Sequence, residues 1–416
     1  MSIILTGILY TKSQEIDITR QLKNATAKPL QDRKLRYVER TTVRSDCRQQ
    51  NIYKTAQTID ATRPTPVIIL TYARSGSSFL GDIIRQTEEV FYVFEPLHFL
   101  RTSTSNRNMT FLNGTIRKSY QYLTEAKNII SSVITCQLIN LPLEFWNAGF
   151  EVMQGYQLQT FLTKFKSERL VRYLKRMEFK FAVEKLQSEC MKSKVVVIKT
   201  IRIPFFLVQG LFPQLQDLKI LHLVRDPRPT IISQKRYINE IDSVSDYAAN
   251  LCFRISNDIL MSNFLTVIAS SSIVRIRYEV LTTHPVDISR NIYQFLNLTF
   301  TNKIKDVILK KTASGTSGKG PLTTVKGNST EMVNKWRFSA KYSFVKSIDK
   351  QCKYLYKKLG YIQIDNEAIL KNTSISLFYR KNPGGNKRIS KYGPLRSIVD
   401  AATFQEFNHK TPELTV

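Results

Sequence analysis

Two short segments of this 416-residue chain carry residue types suited to binding an anion. The first is Arg74-Ser75-Gly76-Ser77-Ser78, between an apolar run and a helical pattern. The amino end of a helix presents unpaired N–H groups and the positive end of the helix dipole, so it attracts phosphate or sulfate. Gly76 permits close approach of the backbone, the serine hydroxyls add donors, and Arg74 adds a fixed charge. The segment lacks the G-x-x-x-x-G-K-[ST] spacing of nucleotide triphosphatases, and an ordinary turn is the alternative interpretation.

The second segment is Leu223–Arg228, in which Arg225 ends an apolar run. Asp226-Pro227 has the residue types of a helix start, with Asp226 as the N-cap. Ser233 follows about two helical turns later, on the face turned back toward Arg225. An arginine at a strand end and a serine on the next helix can hold one phosphate from two sides. A surface ion pair of Arg225 with a carboxylate is the alternative.

A sheet is needed to position these segments. Apolar runs rich in β-branched residues predict buried parallel strands at 67–70, 195–198, 219–224 and 273–278. Helical patterns follow at Phe79–Gln86 and after Asp226. Strands alternating with helices predict an α/β fold with a parallel central sheet flanked by helices.

Composition narrows the classes of partner. There are 62 Lys and Arg against 33 Asp and Glu, a net charge of +29, which attracts nucleic acid, anionic membranes or acidic glycans. A content of 42% hydrophobic residues excludes a wholly disordered chain. Five cysteines are too few for a disulfide scaffold. Since neither C-x-x-C nor H-E-x-x-H spacing occurs, we expect no metal.

The ends of the chain have a different character. Residues 1–64 are polar, basic and poorly patterned, and we interpret them as a stem or linker. Residues 381–416 include Pro-Gly-Gly and scattered charges, and we expect a disordered tail. One domain over residues 65–380 lies between them.

The two anion-binding segments together resemble the Golgi carbohydrate sulfotransferases, and more narrowly the galactose, N-acetylglucosamine and N-acetylgalactosamine 6-O-sulfotransferases. The family's R-S-G-S-S-F-L loop is matched by Arg74–Leu80, and its L-V-R-D-P-R motif by Leu223–Arg228. Further matches follow in order: F-Y-x-F-E-P-L at Phe91–Leu97, I-K-T-x-R-I at Ile198–Ile203, R-Y-E at Arg277–Glu279, K-W-R-F at Lys335–Phe338 and L-G-Y at Leu359–Tyr361. Residues 371–377 resemble the ends of keratan-sulfate and chondroitin 6-O-sulfotransferases. The resemblance implies a P-loop nucleotide-hydrolase-like sulfotransferase fold.

The resemblance also implies a sulfate donor, 3′-phosphoadenosine 5′-phosphosulfate (PAPS). The loop Arg74 to Phe79, with Ser75, Gly76, Ser77 and Ser78, would bind its 5′-phosphosulfate, and Arg225 with Ser233 its 3′-phosphate. Lys326 resembles a basic residue of the family near that 3′-phosphate. Tyr278 is expected to pack either on the adenine or in the core.

The chemistry of sulfuryl transfer suggests a role for several of these side chains. Arg74 is expected to stabilise charge on the leaving phosphate. Glu95 is expected to be the general base that takes the proton of the acceptor hydroxyl, the alternative being a structural carboxylate paired with arginine. His98 is a rival base and acceptor contact. Lys199 and Arg202, placed after a strand end, either line the acceptor groove or lie on a solvated surface.

The cellular compartment is predicted from weaker signals in the sequence. Six Asn-x-Ser/Thr sequons occur, which are glycan acceptors in a secretory protein: Asn24, Asn108, Asn113, Asn297, Asn328 and Asn372. Cys190, Cys252 and Cys352 fall where relatives carry cysteine, which implies a disulfide whose pairing the sequence leaves open. We expect a type II membrane protein of the Golgi lumen. Its anchor is not evident, as in a chain truncated at the N-terminus.

We therefore predict a carbohydrate 6-O-sulfotransferase acting on an anionic glycan or proteoglycan, with no nucleic-acid partner and with a homodimer left open. An inactive glycan-binding relative is the alternative, because His98, Pro229 and Val280 depart from the family's motifs. A P-loop kinase lacks its lysine here, and a nucleic-acid-binding module lacks aromatic–basic interleaving.

Overall fold

The structure, a computed structural model, describes residues 63–102, 107–119, 121–147, 176–215, 217–236, 241–269, 272–313, 329–378 and 397–398. Residues 1–62 of the predicted stem at 1–64, Lys326, and all of the predicted tail except 397–398 therefore lie outside the described residues. No described helix combines the length and the apolar content needed to cross a membrane.

A parallel sheet forms the centre of the molecule. The strands of the described chain are β1 Thr65–Leu70, β2 Val90–Phe94, β3 Arg107–Thr110, β4 Ile116–Ser119, β5 Val195–Thr200, β6 Lys219–Val224, β7 Ile273–Arg277 and β8 Ser397–Ile398. Six of them form one sheet in the order β2-β5-β1-β6-β7-β8, and every pairing in it is parallel. The predicted α/β fold is confirmed.

Helices cover both faces of this sheet. They are α1 Ser77–Ile84, α2 Tyr122–Ile134, α3 Leu143–Asn147, α4 Arg176–Lys192, α5 Phe205–Gln209, α6 Pro227–Lys235, α7 Val244–Ile268, α8 Tyr278–Thr283, α9 Pro285–Phe295, α10 Asn302–Ala313, α11 Ser329–Ser339, α12 Tyr342–Leu359 and α13 Glu367–Lys371. Alternate β1 residues enter opposite cores: Ile68 and Leu70 pack with α2 and α4, and Val67 and Ile69 with α1 and α9. Burial on both sides explains the continuous apolar runs.

The predicted elements differ from the observed ones at their ends. Helix α1 begins at Ser77 rather than Phe79, because Gly76 adopts a left-handed conformation and serves as its N-cap. Strand β7 ends at Arg277, and Tyr278 already begins α8. Asp226 does cap α6, accepting from the Arg228 N–H over 2.9 Å, with Pro227 in the first turn.

Three features were not predicted. The antiparallel hairpin β3–β4 has no counterpart among the predicted elements, although Asn113-Gly114 is a hairpin signal. Disulfides join Cys136 to Cys190 and Cys252 to Cys352, so Cys190 pairs with a cysteine that the resemblance did not single out. Within the segment predicted to be disordered, Ser397–Ile398 pair with β7.

Candidate active site

The loop after β1 is held against the loop after β6. Thr71 Oγ1 donates to the Leu223 carbonyl of β6 over 3.0 Å. Gln234 Nε2 on α6 donates to the Ala73 carbonyl over 2.8 Å. Because β1 and β6 are neighbours in a parallel sheet, both loops leave its carboxyl edge, where α/β proteins bind ligands. The fold thus brings the two predicted anion-binding segments together.

Gly76 marks the point where the first loop becomes a helix. Its φ of 87° is left-handed, and no side chain caps α1 there. A Cβ at this position would lie 2.2 Å from the Tyr278 ring, so a larger residue would displace the ring. The Tyr278 ring, 4% exposed, therefore packs on the loop itself. The uncapped start of α1 at Ser77 and Ser78 suits an anion.

Other residues of the first loop face inward. The Phe79 side chain lies in the core with α9, and its N–H donates to the Gly76 carbonyl over 3.1 Å. The Phe79 side chain is thus part of the core, and contact of residue 79 with the donor stays a prediction. Ser75 is 1% exposed, and its N–H donates to the Tyr72 carbonyl over 3.2 Å.

Arg74, Arg225 and Ser233 form one cluster. Arg74 Nε donates to Ser233 Oγ over 3.0 Å, and Arg225 Nη1 donates to the Arg74 carbonyl over 2.8 Å. The Arg225 guanidinium stacks on Tyr278, with its carbon 4.4 Å from the ring centre. Arg225 Nε is buried and donates to no group in the described part of the chain. The Arg74 side chain thus points toward the second segment, which the sequence did not indicate.

This cluster opens into a cleft of about 640 Å³. Its described lining contains four cationic side chains and no carboxylate: Arg74, Arg225, Arg236 and Lys335. Arg236 and Lys335 were not among the predicted site residues. The sequence contained a signal for each of them, since Arg236 lies three positions after Ser233 and Lys335 belongs to the K-W-R-F match. A lining with four cations and no carboxylate, together with the buried Arg225 Nε that donates to no described group, fits an anionic nucleotide.

Glu95 occupies a second, buried cluster at the end of β2. It is 3% exposed and has a left-handed φ of 49°. Oε1 accepts from Lys199 Nζ over 2.6 Å. Oε2 lies 3.2 Å from Arg202 Nε but receives no well-directed hydrogen bond from the described residues. A strained backbone at a buried carboxylate with one unsatisfied oxygen is typical of a functional site.

Electrostatics keep this carboxylate ionised. Burial raises the pKa of Glu95, but Lys199 and Arg202 lower it more, so that the pKa lies below its usual value. Burial lowers the pKa of Lys199 and Glu95 raises it, and with Arg202 and Arg74 both lowering it the pKa lies below its usual value. Since the Arg74 charge acts on Lys199, the Glu95 cluster lies within electrostatic reach of the first loop.

The structure corrects the expected placement of Lys199 and Arg202. Lys199 lies within β5 and not after its end, and the two side chains are 4% and 7% exposed. Neither therefore lies on a solvated surface, and both neutralise Glu95. The His98 N–H donates to the Glu95 carbonyl over 2.9 Å, which fixes the turn after β2.

Sequence reasoning missed the side chain that joins the two clusters. Asp258, 3% exposed on α7, accepts from the Tyr72 hydroxyl over 2.9 Å and from the Phe205 N–H over 2.7 Å. Tyr72 belongs to the first loop, and Phe205 follows the loop that carries Arg202. The Tyr72 hydroxyl also lies 3.0 Å from His222 Nε2. Asp258 therefore sets the position of one loop relative to the other, which no local pattern indicates.

Other motifs shared with the family stabilise the elements that carry the site. Glu279 of R-Y-E accepts from the Asp226 N–H over 3.0 Å and from the Tyr361 hydroxyl of L-G-Y over 2.9 Å. Burial and Asp226 raise the pKa of Glu279. Arg337 of K-W-R-F donates to carbonyls at the end of α13, including Ile369 over 2.6 Å. These contacts hold the loop after β6 and the helix that carries Lys335.

Within the described ranges, no group of three or more His, Cys, Asp or Glu side chains is placed to hold a metal ion. The cleft offers fixed cations, and the separate Glu95 cluster offers a carboxylate held between two cations.

Residues 66–302 match the sulfotransferase family. Carbohydrate sulfotransferase 1 of Mus musculus is 26% identical over 357 residues, covering 76% of this chain and 84% of the relative. Carbohydrate sulfotransferase 3 of Homo sapiens is 23% identical, covering 75% and 70%.

Solved structures are more distant. The sulfotransferase domain of the Synechococcus PCC 7002 olefin synthase has a TM-score of 0.40 at 15% identity, covering 72% of this chain and 97% of that one. Retinol dehydratase in complex with androsterone and the inactive cofactor PAP has a TM-score of 0.35 at 16% identity, covering 71% and 81%.

Proposed function

The chain belongs to the sulfotransferase family, and from this premise we propose that it moves a sulfuryl group from PAPS to the 6-hydroxyl of galactose, N-acetylgalactosamine or N-acetylglucosamine in a glycan chain. The family resemblance seen in the motifs is confirmed, and the protein is an enzyme that transfers sulfuryl groups. Relatives named carbohydrate sulfotransferases support a sugar acceptor.

The observation that carries the proposal is the cleft at the carboxyl edge of β1 and β6. Four cations line it, and the lining described here includes no carboxylate to neutralise them. A donor with phosphate groups at two ends of a nucleoside supplies the matching negative charge. The uncapped start of α1 and the Arg225–Ser233 pair are suitable positions for those two groups.

The donor, when bound, supplies a sulfuryl group attached to a phosphate that leaves. Arg74 and the first amides of α1 stabilise the charge that grows on that phosphate. Arg225, fixed by the Arg74 carbonyl and by Tyr278, orients the far end of the nucleotide. Lys335 and Arg236 add charge at the mouth of the cleft.

Glu95 is the proposed base. Its lowered pKa keeps it ionised at neutral pH, and its Oε2 has hydrogen-bonding capacity left to accept the proton of a sugar hydroxyl. The low pKa makes Glu95 a weak base, so most of the rate is assigned to positioning and to charge stabilisation. Asp258, by accepting from Tyr72 and from the Phe205 N–H, holds the loop of Arg74 against the loop of Arg202, which pairs with Glu95.

We place this activity in the Golgi lumen, on a type II membrane protein. The two disulfides support an oxidising compartment. The charge of +29 would steer an anionic acceptor such as keratan or chondroitin sulfate to the cleft.

The test is transfer of radiolabelled sulfate from PAPS to desulfated keratan, desulfated chondroitin and terminal N-acetylglucosamine, with product linkage read by mass spectrometry. Label at the 6-position of one of these sugars supports the proposal. Label elsewhere on the sugar refutes the 6-O assignment.

The burial of Glu95 between two cations specifically favours one alternative, an inactive glycan-binding relative. It predicts calorimetric binding of the desulfated nucleotide PAP with no transfer to any sugar. Absence of both binding and transfer would refute the donor cleft itself.

A further inference from the structure

The turn of the β3–β4 hairpin has a defined geometry. The Phe111 N–H donates to the Thr115 carbonyl over 2.9 Å, and the Gly114 N–H donates to the Phe111 carbonyl over 2.9 Å. Gly114 has a φ of 87°, the left-handed value that a three-residue hairpin loop requires at its last position. The loop therefore presents Asn113, Gly114 and Thr115 in one fixed arrangement, and these three residues form a sequon.

Asn113 is exposed at the tip of this turn. Its Oδ1 accepts from the Thr115 N–H over 3.0 Å and from the Thr115 hydroxyl over 2.7 Å. Both contacts engage the carbonyl end of the side chain. Neither contact uses the amide nitrogen, the atom to which N-linked sugars are attached.

A cleft of about 530 Å³ begins beside Asn113. Its lining combines apolar and polar side chains: Phe111, Leu112, Thr115, Arg117, Ile139, Asn140 and Lys180. Volumes above roughly 300 Å³ are usual for ligand pockets. The cleft lies outside the cationic cleft described above, and no residue lines both.

The cleft walls suit a sugar. Residues 111 and 115 pair across the turn, so the ring of Phe111 and the methyl group of Thr115 lie on one face of the hairpin. The Arg117 guanidinium stays near Phe111, 5.5 Å from the ring centre, because Glu125 holds it with two hydrogen bonds of 2.9 and 2.7 Å. An aromatic ring beside fixed donors matches a sugar, which has an apolar face and polar edges.

We propose that Asn113 carries an N-linked glycan whose first N-acetylglucosamine lies in this cleft against Phe111 and thereby stabilises the hairpin. The inference goes beyond sulfuryl transfer and requires only exposure of the chain to the secretory lumen.

The covalent step is a glycosyl transfer. The Asn113 amide nitrogen forms a bond to C1 of the first sugar of a polyprenyl-diphosphate-linked oligosaccharide. The bond from C1 to the diphosphate oxygen breaks, the polyprenyl diphosphate leaves with the electron pair, and the amide gives up one proton to the base of the transferase. No oxidant or reductant is involved.

In a second exposed sequon, that of Asn297, the threonine makes different contacts. At Asn297, the Thr299 N–H and hydroxyl donate to Glu89 over 2.8 and 3.3 Å rather than to the asparagine. Asn297 therefore serves as an internal control with the same consensus and a different geometry.

The test uses the full chain, secreted from eukaryotic cells behind a cleavable signal peptide, so that its natural compartment does not decide the result. We expect peptide mass spectrometry to find a glycan at Asn113, and Asn113→Gln and Thr115→Ala each to lose one glycan on gels. Asn297→Gln keeps the glycan at Asn113. An unmodified Asn113 in the secreted wild-type protein overturns the proposal and leaves the sulfotransferase assignment untouched.

Packing of the sugar is tested by a thermodynamic cycle of wild type, Asn113→Gln, Phe111→Leu and the double variant. Loss of the glycan should lower the melting temperature by about 1–3 °C when Phe111 is present and by less when it is leucine. The same four proteins from a bacterial periplasm, which lack the glycan, should show no such coupling. If loss of the glycan lowers the melting temperature equally with phenylalanine and with leucine at position 111, the proposed packing of the sugar is wrong.

Discussion

Replacing Arg225 by alanine tests the cationic cleft most directly. The Arg225 guanidinium stacks on Tyr278 and donates Nη1 to the Arg74 carbonyl, while its Nε has no partner among the described groups. A hydrogen bond to a charged group contributes about 1.5–3 kcal/mol, which corresponds to a factor of roughly 10–150 in affinity. We therefore expect Arg225→Ala to weaken binding of PAP by that factor.

A matched control separates this local effect from the overall charge. Arg290 is exposed and pairs with Asp287 at 3.5 Å, so Arg290→Ala removes the same charge from the surface. Its affinity for PAP should change by less than about twofold, since exposed charges are screened beyond roughly 10 Å at moderate salt. Arg225→Lys keeps the charge but loses the planar fork, and it should fall between wild type and alanine.

The assay is isothermal titration calorimetry with PAP at two salt concentrations, with circular dichroism confirming that each variant is folded. If folded Arg225→Ala bound PAP as tightly as Arg290→Ala, Arg225 would not contact the nucleotide. The model of two anion sites sharing one donor would then be wrong.

Four further outcomes are expected. Glu95→Gln should lower kcat by about 10²–10⁴-fold with unchanged affinity for PAP, and near-normal turnover would exclude Glu95 as the base. Asp258→Ala should lower the free energy of unfolding by about 3–5 kcal/mol. Asp258→Asn should lower it by clearly less, since the amide oxygen can still accept a hydrogen bond. Equal decreases for the two variants in urea unfolding would contradict this. Burial and a neighbouring arginine hold the pKa of His222 well below its usual value, so its contribution is fully present above the unfolded pKa of about 6.5 and is lost as the pH falls below it. His222→Asn should lower the slope of the free energy of unfolding against pH by up to about 1.4 kcal/mol per pH unit below that pKa, and an unchanged slope would refute the assignment. Cys252→Ser opens a link across 100 residues and should cost about 4.7 kcal/mol in the chain-entropy relation, and unchanged stability in urea would contradict it.

Local sequence signals predicted the elements that carry the site. The apolar run at 219–224 coincides with β6, and Asp226-Pro227 starts α6 as its residue types indicate. Burial of each strand on both faces leaves a continuous apolar run, and a helix start needs a side-chain acceptor and a rigid first φ. Such constraints act within a few residues, and so a sequence records them directly.

Long-range pairings were not predictable in the same way. Asp258 meets Tyr72 across 186 positions, and Cys136 meets Cys190 across 54. A buried carboxylate on a long helix has the same local signature whichever loop it contacts. The same limit explains Lys199, which was expected near the end of a strand and proved to be buried within it, neutralising Glu95.

The amino-acid sequence alone predicted the parallel sheet and the two candidate anion-binding segments, because both depend on residue types at short spacing, and its motifs carried the resemblance to the family. Only the tertiary structure decided that Arg74 reaches Ser233, that Arg236 and Lys335 line the same cleft, and that Glu95 is held between two cations. Those arrangements depend on which strand ends meet at one edge of the sheet, and that is fixed by strand order and not by neighbours along the chain.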